Sequence, residues 1–162
     1  MLAFIDIDPR DSRYAAELDL RYRVLRAPLG LSRAQTLSAF EEQSVHLLAV
    51  DGDVVVGCVL FRPLGDPAQG GQSGQSGQSA RQGRLYQMAV EPQLQRRGIG
   101  AQLVAALEAE VARRGFDEVV LHARQAAVGF YEHAGYAAEG PPFIEVGIPH
   151  VKMRKLIRPR NI

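Results

Sequence analysis

The sequence predicts a single-domain α/β fold over residues 1–162, a mixed and mostly antiparallel sheet of about seven strands flanked by about four helices. Short β-branched runs recur along the chain, and turn residues join the second to the third. Ile99, Leu103, Leu107 and Val111 recur at every fourth position, as on an amphipathic helix packed against a sheet. The resulting element order, β-α-α-β-β-β-α-β-α-β-β, suits a mixed sheet, and a 46% hydrophobic composition suffices for a core without disulfides or metals.

A first strand is expected from Ala3 to Asp8. Asp11 or Ser12 is placed to cap a helix through Leu18, Leu20, Tyr22, Val24 and Leu25, which Pro28 and Gly30 stop. Ser32 is expected to cap a shorter helix with Leu37 and Phe40 on one face. Val45–Val50 and Val54–Phe61 read as strands joined by the Asp51-Gly52-Asp53 turn. From Pro63 to Gly83 the composition turns to Gly, Gln and Ser, with a Gln-Ser-Gly repeat from Gln72 through Ser79, and a flexible hairpin loop is expected.

Leu85–Val90 reads as a fourth strand closed by Glu91-Pro92, followed by a helix from Gly98 to Gly115. Val119-Val120-Leu121 is a fifth strand, and Gln125–Ala134 a helix with Gly135 as its C-cap. Two further strands are expected from Tyr136 onward and over His150–Leu156, around breaks at Pro141-Pro142 and Gly147-Ile148-Pro149.

A net charge of +1 gives no broad electrostatic footprint for nucleic acid or an anionic membrane, so any anion site must be local. Cys58 lies in an apolar run and reads as a buried, reduced strand residue. The N-terminal residues lack a signal-like pattern and no window reaches the ~18 apolar residues of a membrane helix. The expected location is cytoplasmic, with neither membrane nor nucleic acid as partner. No pair of histidines or carboxylates has metal-ligand spacing, and no metal is expected; His46 and His133 are assigned no function.

Gln95-Arg96-Arg97-Gly98-Ile99-Gly100 lies between a strand and a helix, where unpaired backbone N–H groups can face an anion and glycine admits its close approach. A dinucleotide fingerprint fails because Leu103 stands at its third small position, and a P-loop fails because no Gly-Lys-Ser/Thr follows. The segment resembles the Gln/Arg-x-x-Gly-x-Gly/Ala pyrophosphate loop of the GNAT acetyltransferases, with Met88-Ala89-Val90 matching that family's fourth strand. A second stretch, Phe130-Tyr131-Glu132-His133-Ala134-Gly135-Tyr136, resembles the family's next helix. Leu20–Arg26 and Gly147–Met153 also resemble a bacterial GNAT subgroup of unassigned substrate.

The resemblance implies an acetyl-CoA-dependent N-acetyltransferase that moves the acetyl group to a primary amine of a small molecule, peptide or protein by direct attack. Acetyl-CoA is the cosubstrate, held in a cleft between strands four and five. By position, the backbone of Met88, Ala89 and Val90 pairs with the pantetheine arm, and Gln95, Arg96, Arg97, Gly98, Ile99, Gly100 and Ala101 form the pyrophosphate loop. Arg124, Ala127, Phe130 and Tyr131 complete the expected cofactor set, although many members carry asparagine at the place of Arg124. Tyr131 matches the general acid and the Val90 backbone N–H the oxyanion donor.

The general base is left open among Glu91, His150, Glu145 and His122, because strand four offers Arg84, Tyr86 and Gln87 where some members carry a carboxylate. A non-catalytic acyl-CoA-binding regulator is the alternative for the same reason. Dimers are common among similar proteins, so a homodimer is compatible with the resemblance.

Overall fold

The computed structural model describes residues 1–65 and 81–157. Residues 66–80, with the Gln72–Ser79 repeat expected in a hairpin loop, lie outside the described residues. The chain divides into two compact units, Met1–Arg62 with Leu85–Leu107, and Pro63–Arg84 with Glu108–Ile162.

The strand order begins β1 (Leu2–Ile7), β2 (Val45–Asp51), β3 (Val54–Pro63) and β4 (Gln82–Val90), which belong to the first unit except for Pro63 and Gln82–Arg84. β1 and β3 both run antiparallel to β2, and Gly52, at φ +63°, supplies the left-handed residue of the turn between β2 and β3. Ile7, Leu20, Leu48, Val50, Val55, Cys58 and Ala89 pack as one buried cluster, which fixes the inward face of each strand. At Gly57 the packing is close: a Cβ there would stand 2.9 Å from Leu103 Cδ1, so that buried side chain would have to shift.

Helix α1 spans Tyr14–Arg21, and neither Asp11 nor Ser12 caps it. Asp11 Oδ1 instead accepts the Arg13 N–H over 2.9 Å while its carboxylate holds the Arg13 guanidinium, a local turn that competes with capping. Beyond Arg21 the coil widens into a π turn, Tyr22–Arg26, then tightens at Ala27–Leu29 and stops at Gly30, φ +73°.

The helix expected after Ser32 does not form, so the described residues contain three α-helices rather than four. Ser32 and Gln35 do make the reciprocal pair of a capping box, with contacts of 2.7 and 3.3 Å, but it closes only a single turn at Ala34–Thr36. Leu37 and Phe40 are exposed, so a longer helix would have had no apolar face to bury.

Helix α2, Ile99–Arg113, buries Ile99, Leu103, Leu107 and Val111 at the expected spacing. In the second unit β5 (Glu118–Arg124), β7 (Ile148–Leu156) and β6 (Ala137–Glu145) lie in that order, all antiparallel. The Gln125–Ala134 segment divides into a tight turn, Gln125–Ala127, and helix α3, Val128–His133. Gly135 follows at φ +97°.

Pro141-Pro142 does not break β6 as expected. Among the described residues β6 pairs with β7 alone, so the missing N–H groups are tolerated there, at the expense of a register slip between Glu139 and Phe143. The break expected at Gly147-Ile148-Pro149 does separate β6 from β7 but is shorter and lies earlier: Val146 and Gly147, at φ +46° and +78°, make the turn, and Ile148 and Pro149 already belong to the strand. Among the described residues, no helix is long and apolar enough to cross a membrane.

Candidate active site

Leu85–Leu107 of the first unit holds most of β4 and the segment after it, where the sequence places the expected pyrophosphate loop. Gln87 leaves the extended region at φ +47°, so the strand is irregular one residue before Met88. Val90 ends β4, and its carbonyl accepts from Gln95 Nε2 over 3.1 Å, which closes the intervening 3₁₀ turn, Pro92–Leu94, back onto the strand. The Glu91 N–H donates to Val56 O over 2.9 Å.

Arg96 and Gly98 then take left-handed conformations, φ +66° and +84°, and the Gln102 N–H donates to Gly98 O as the first bond of α2. Two left-handed residues so close together re-aim successive peptide groups, the backbone element from which anion-binding nests are built. By helix geometry, the N–H groups of Gly98, Ile99, Gly100 and Ala101 have no partner within α2. They stand at its positive end. Arg96 and Arg97 are exposed beside them.

In the second unit Tyr131 is buried, edge-on to Phe130 with ring centroids 5.0 Å apart and to Tyr136 at 5.8 Å. Burial pushes its phenol pKa up, so the hydroxyl keeps its proton throughout the neutral range. Tyr136 anchors the stack by donating to Glu108 Oε2 over 2.9 Å. Glu108 Oε1 also accepts from Lys155 Nζ, which in turn reaches Ala134 O at 2.8 Å. Arg124 ends β5 half-buried, and burial lowers its pKa; Ala127 and Phe130 are half-buried on the following turn and helix.

The four candidate bases stand in different settings. Glu91 is gripped by Arg23, whose Nη2 and Nη1 lie 2.6 and 3.2 Å from its carboxylate oxygens. His122, Glu145 and His150 meet on one face of β5, β6 and β7: His122 Nδ1 is 2.9 Å from Glu145 Oε1, and His150 Nε2 is 3.8 Å from Glu145 Oε2. Proximity of the two histidines to one carboxylate was not legible in the sequence, because three strands supply the three residues.

A buried polar network behind β4 was also missed. Arg21, fully buried, donates to Glu17, Glu41, Gln87 and the Thr36 carbonyl, and His46 Nδ1 lies 2.9 Å from Glu17. Glu17, Glu41 and His46 bring ligand-type atoms within 4.8 Å of one another, a grouping that spacing along the chain did not suggest. The guanidinium between the two carboxylates already supplies the compensating charge. The available signal was Glu17-x-x-x-Arg21, an ion pair at helical spacing flanking the core residue Leu20.

A family model described as an acetyltransferase (GNAT) domain matches residues 31–157, most of the chain. The chain belongs to the GNAT acetyltransferase family. A Bacillus subtilis relative, named as a candidate acetyltransferase, is 32% identical over 110 residues; the match covers 68% of this chain and 65% of that protein, just under two thirds of its length. An N-acetyltransferase-like structure from Lactobacillus plantarum superposes with a TM-score of 0.80 at 23% identity, covering 97% of this chain and 99% of the other. An aminoglycoside 6'-N-acetyltransferase in complex with coenzyme A gives a TM-score of 0.71 at 21% identity, with 99% of each chain covered. These likenesses show that the GNAT chain shares the fold of both proteins.

Proposed function

We propose that this GNAT chain transfers an acetyl group from acetyl-CoA to a primary amine of a small molecule, peptide or protein. The segment from Gln95 to Ala101 carries the reading: Gln95 ties it to the end of β4, Arg96 and Gly98 turn it left-handed, and two exposed arginines flank the start of α2. Such a backbone suits a pyrophosphate, whose charge meets N–H groups, the helix dipole and guanidinium groups together.

In this reading residues 1–162 act as one acyltransferase domain. The backbone of Met88, Ala89 and Val90 pairs with the pantetheine arm, and Arg124, Ala127 and Phe130 add contacts to the cofactor. The Val90 N–H stabilises the developing oxyanion. Tyr131 supplies a proton to the departing thiolate, whose pKa of about 8.5 makes it a poor leaving group without help. Burial keeps this phenol protonated at neutral pH, so its proton is present to donate, but the same upward shift makes it a weaker acid than an ordinary tyrosine.

The alternative, an acyl-CoA-binding regulator without turnover, draws support from β4, where the Gln87 side chain is occupied by Arg21 and Thr36 rather than presenting a carboxylate. Calorimetric titration with acetyl-CoA tests the shared part of both readings. Saturable binding that weakens in Gly98→Glu supports it; no binding at millimolar acetyl-CoA rejects both.

A further inference from the structure

The polar face of β5, β6 and β7 holds a histidine–carboxylate pair to which the reading above gives no step. Antiparallel register sets Arg124 opposite His150 and His150 opposite Phe143, and His122 shares the face of Arg124 two residues earlier. Glu145 lies two residues beyond Phe143 on β6. The Phe143 ring meets the His122 ring edge-on at 4.9 Å and stacks on His150 at 6.0 Å, so both imidazoles are held in place by one aromatic residue.

The members of this cluster are not chemically equivalent. His150 is buried, and its Nδ1 lies 2.9 Å from the Ile148 carbonyl, so the ring is tied to its own hairpin. Glu145 is pushed up by burial, but the hydrogen bond from His122 and the charges of Arg84 and His150 outweigh this and hold its carboxyl below the usual range. Such a carboxylate is a weak proton acceptor and a good orienting partner.

His122 has the complementary character. Its Nδ1 faces Glu145 Oε1 at 2.9 Å, which selects the tautomer with the proton on Nδ1 and leaves the lone pair on Nε2. Burial, helped by the nearby Arg84 and His150, outweighs the pull of Glu145 and keeps the imidazole below the ordinary histidine range. It is therefore neutral at pH 7, yet a carboxylate waits to stabilise the imidazolium once a proton arrives. A quarter of its side chain is exposed (24%), against 4% for His150.

We propose that His122 is the proton acceptor for the attacking amine and that Glu145 is its positioning residue. The inference rests on the acyl-transfer reading. The acceptor arrives as an ammonium ion; Nε2 takes one proton and later passes it to solvent, leaving a neutral amine. The amine nitrogen forms the C–N bond to the thioester carbonyl carbon, and the C–S bond breaks with its electron pair on sulfur. Tyr131 protonates that sulfur and regains its proton from the nitrogen, so the sum is amide, free thiol and one released proton.

Thiol release from acetyl-CoA with spermidine, kanamycin and a lysine-containing peptide, measured from pH 5 to 9 (about four pH units spanning the histidine range), tests the assignment. For wild type, kcat/KM is expected to fall on the acid side with a midpoint below 6.5, set by His122 among Glu145, Arg84, His150, Arg124 and Lys152 on the same face. His122→Gln is expected to lose about 10²-fold at pH 7 and to recover as pH rises and the amine deprotonates unaided, with acetyl-CoA affinity unchanged. Glu145→Gln removes the partner that raises the imidazole and shifts the acid limb to lower pH, and Glu145→Asp restores it. If His122→Gln stays within about two-fold of wild type and keeps its acid limb, the assignment is wrong. Should His122→Gln fail to melt cooperatively, the acid limb of Glu145→Gln decides, an unmoved limb overturning the proposal. A wild-type protein that binds acetyl-CoA but acylates none of the amines rejects the transfer reading itself, and His122 with it.

Discussion

The Arg21 guanidinium donates through Nε to Gln87 Oε1 over 2.6 Å, while the Gln87 amide donates to the Thr36 carbonyl over 3.0 Å. Both ends of the Gln87 side chain are thereby fixed, and Gln87 is the residue at which β4 departs from extended geometry. A left-handed glutamine costs about 1 kcal/mol or more and persists only where its surroundings hold it. Arg21 in turn is held by Glu17 and Glu41, so α1 and the 36–41 segment together fix the backbone just before Met88-Ala89-Val90.

Arg21→Met removes the cation from between two carboxylates and should destabilise the fold by about 3–5 kcal/mol, the usual consequence of leaving a buried charge uncompensated. Urea unfolding measures it. A loss below about 1 kcal/mol would mean that the carboxylates simply take up protons at little cost.

The same network sets a pH dependence. For Glu41, burial raises the pKa but Arg21 and Tyr14 outweigh it, bringing it to about 2 from an ordinary 4.5. A depressed carboxyl stabilises the fold above its unfolded pKa and loses that stabilisation as pH falls. For His46, burial lowers the pKa, yet the Glu17 contact outweighs it and the net shift is upward from 6.5; its contribution is complete below 6.5 and fades as pH rises through the raised value. Melting temperature measured against pH should therefore drop from 4.5 toward 2, and in Glu41→Gln this acid drop should shrink. Parallel curves for the two proteins would contradict the assignment.

Gly98→Glu places a side chain and a negative charge at a residue with φ +84°, at the start of α2. An added Cβ finds only the tip of Gln102 nearby, at 3.8 Å, so folding should survive with a backbone strain of about 1 kcal/mol. Acetyl-CoA affinity should fall at least about 100-fold, because one anion-binding backbone then carries a competing anion. Normal affinity in a folded Gly98→Glu would show that the pyrophosphate lies elsewhere.

Local chemistry made much of this legible in the sequence. The α2 stripe, the turn at Gly52 and the glycine-bearing loop at 95–100 each depend on neighbours a few residues apart, and each lies where the residues imply. The second helix failed because Ser32 and Gln35 give a start signal without the buried face that must follow it. Pro141-Pro142 misled because its effect depends on whether a strand is central or at an edge, which is a property of the whole sheet. The His122–Glu145 pair and the Arg21–Gln87 contact span 23 and 66 residues, and no local pattern encodes either.

Tyr131→Phe keeps the ring and its edge-on contacts with Phe130 and Tyr136 while removing the acidic proton. Turnover should fall by roughly 10²-fold with acetyl-CoA affinity and melting temperature unchanged. Equal turnover at saturating amine would leave Tyr131 as a packing residue, with the thiolate protonated by water.

A free-thiol assay with acetyl-CoA and a panel of polyamines, aminoglycosides, amino acids and peptides shows whether the chain uses its 95–101 loop to present an acyl-CoA to an amine. Amine-dependent thiol release matched by acetylated product is expected, with loss of both in Gly98→Glu. Thiol release that no amine stimulates, from a protein that binds acetyl-CoA normally, would contradict that use of the loop.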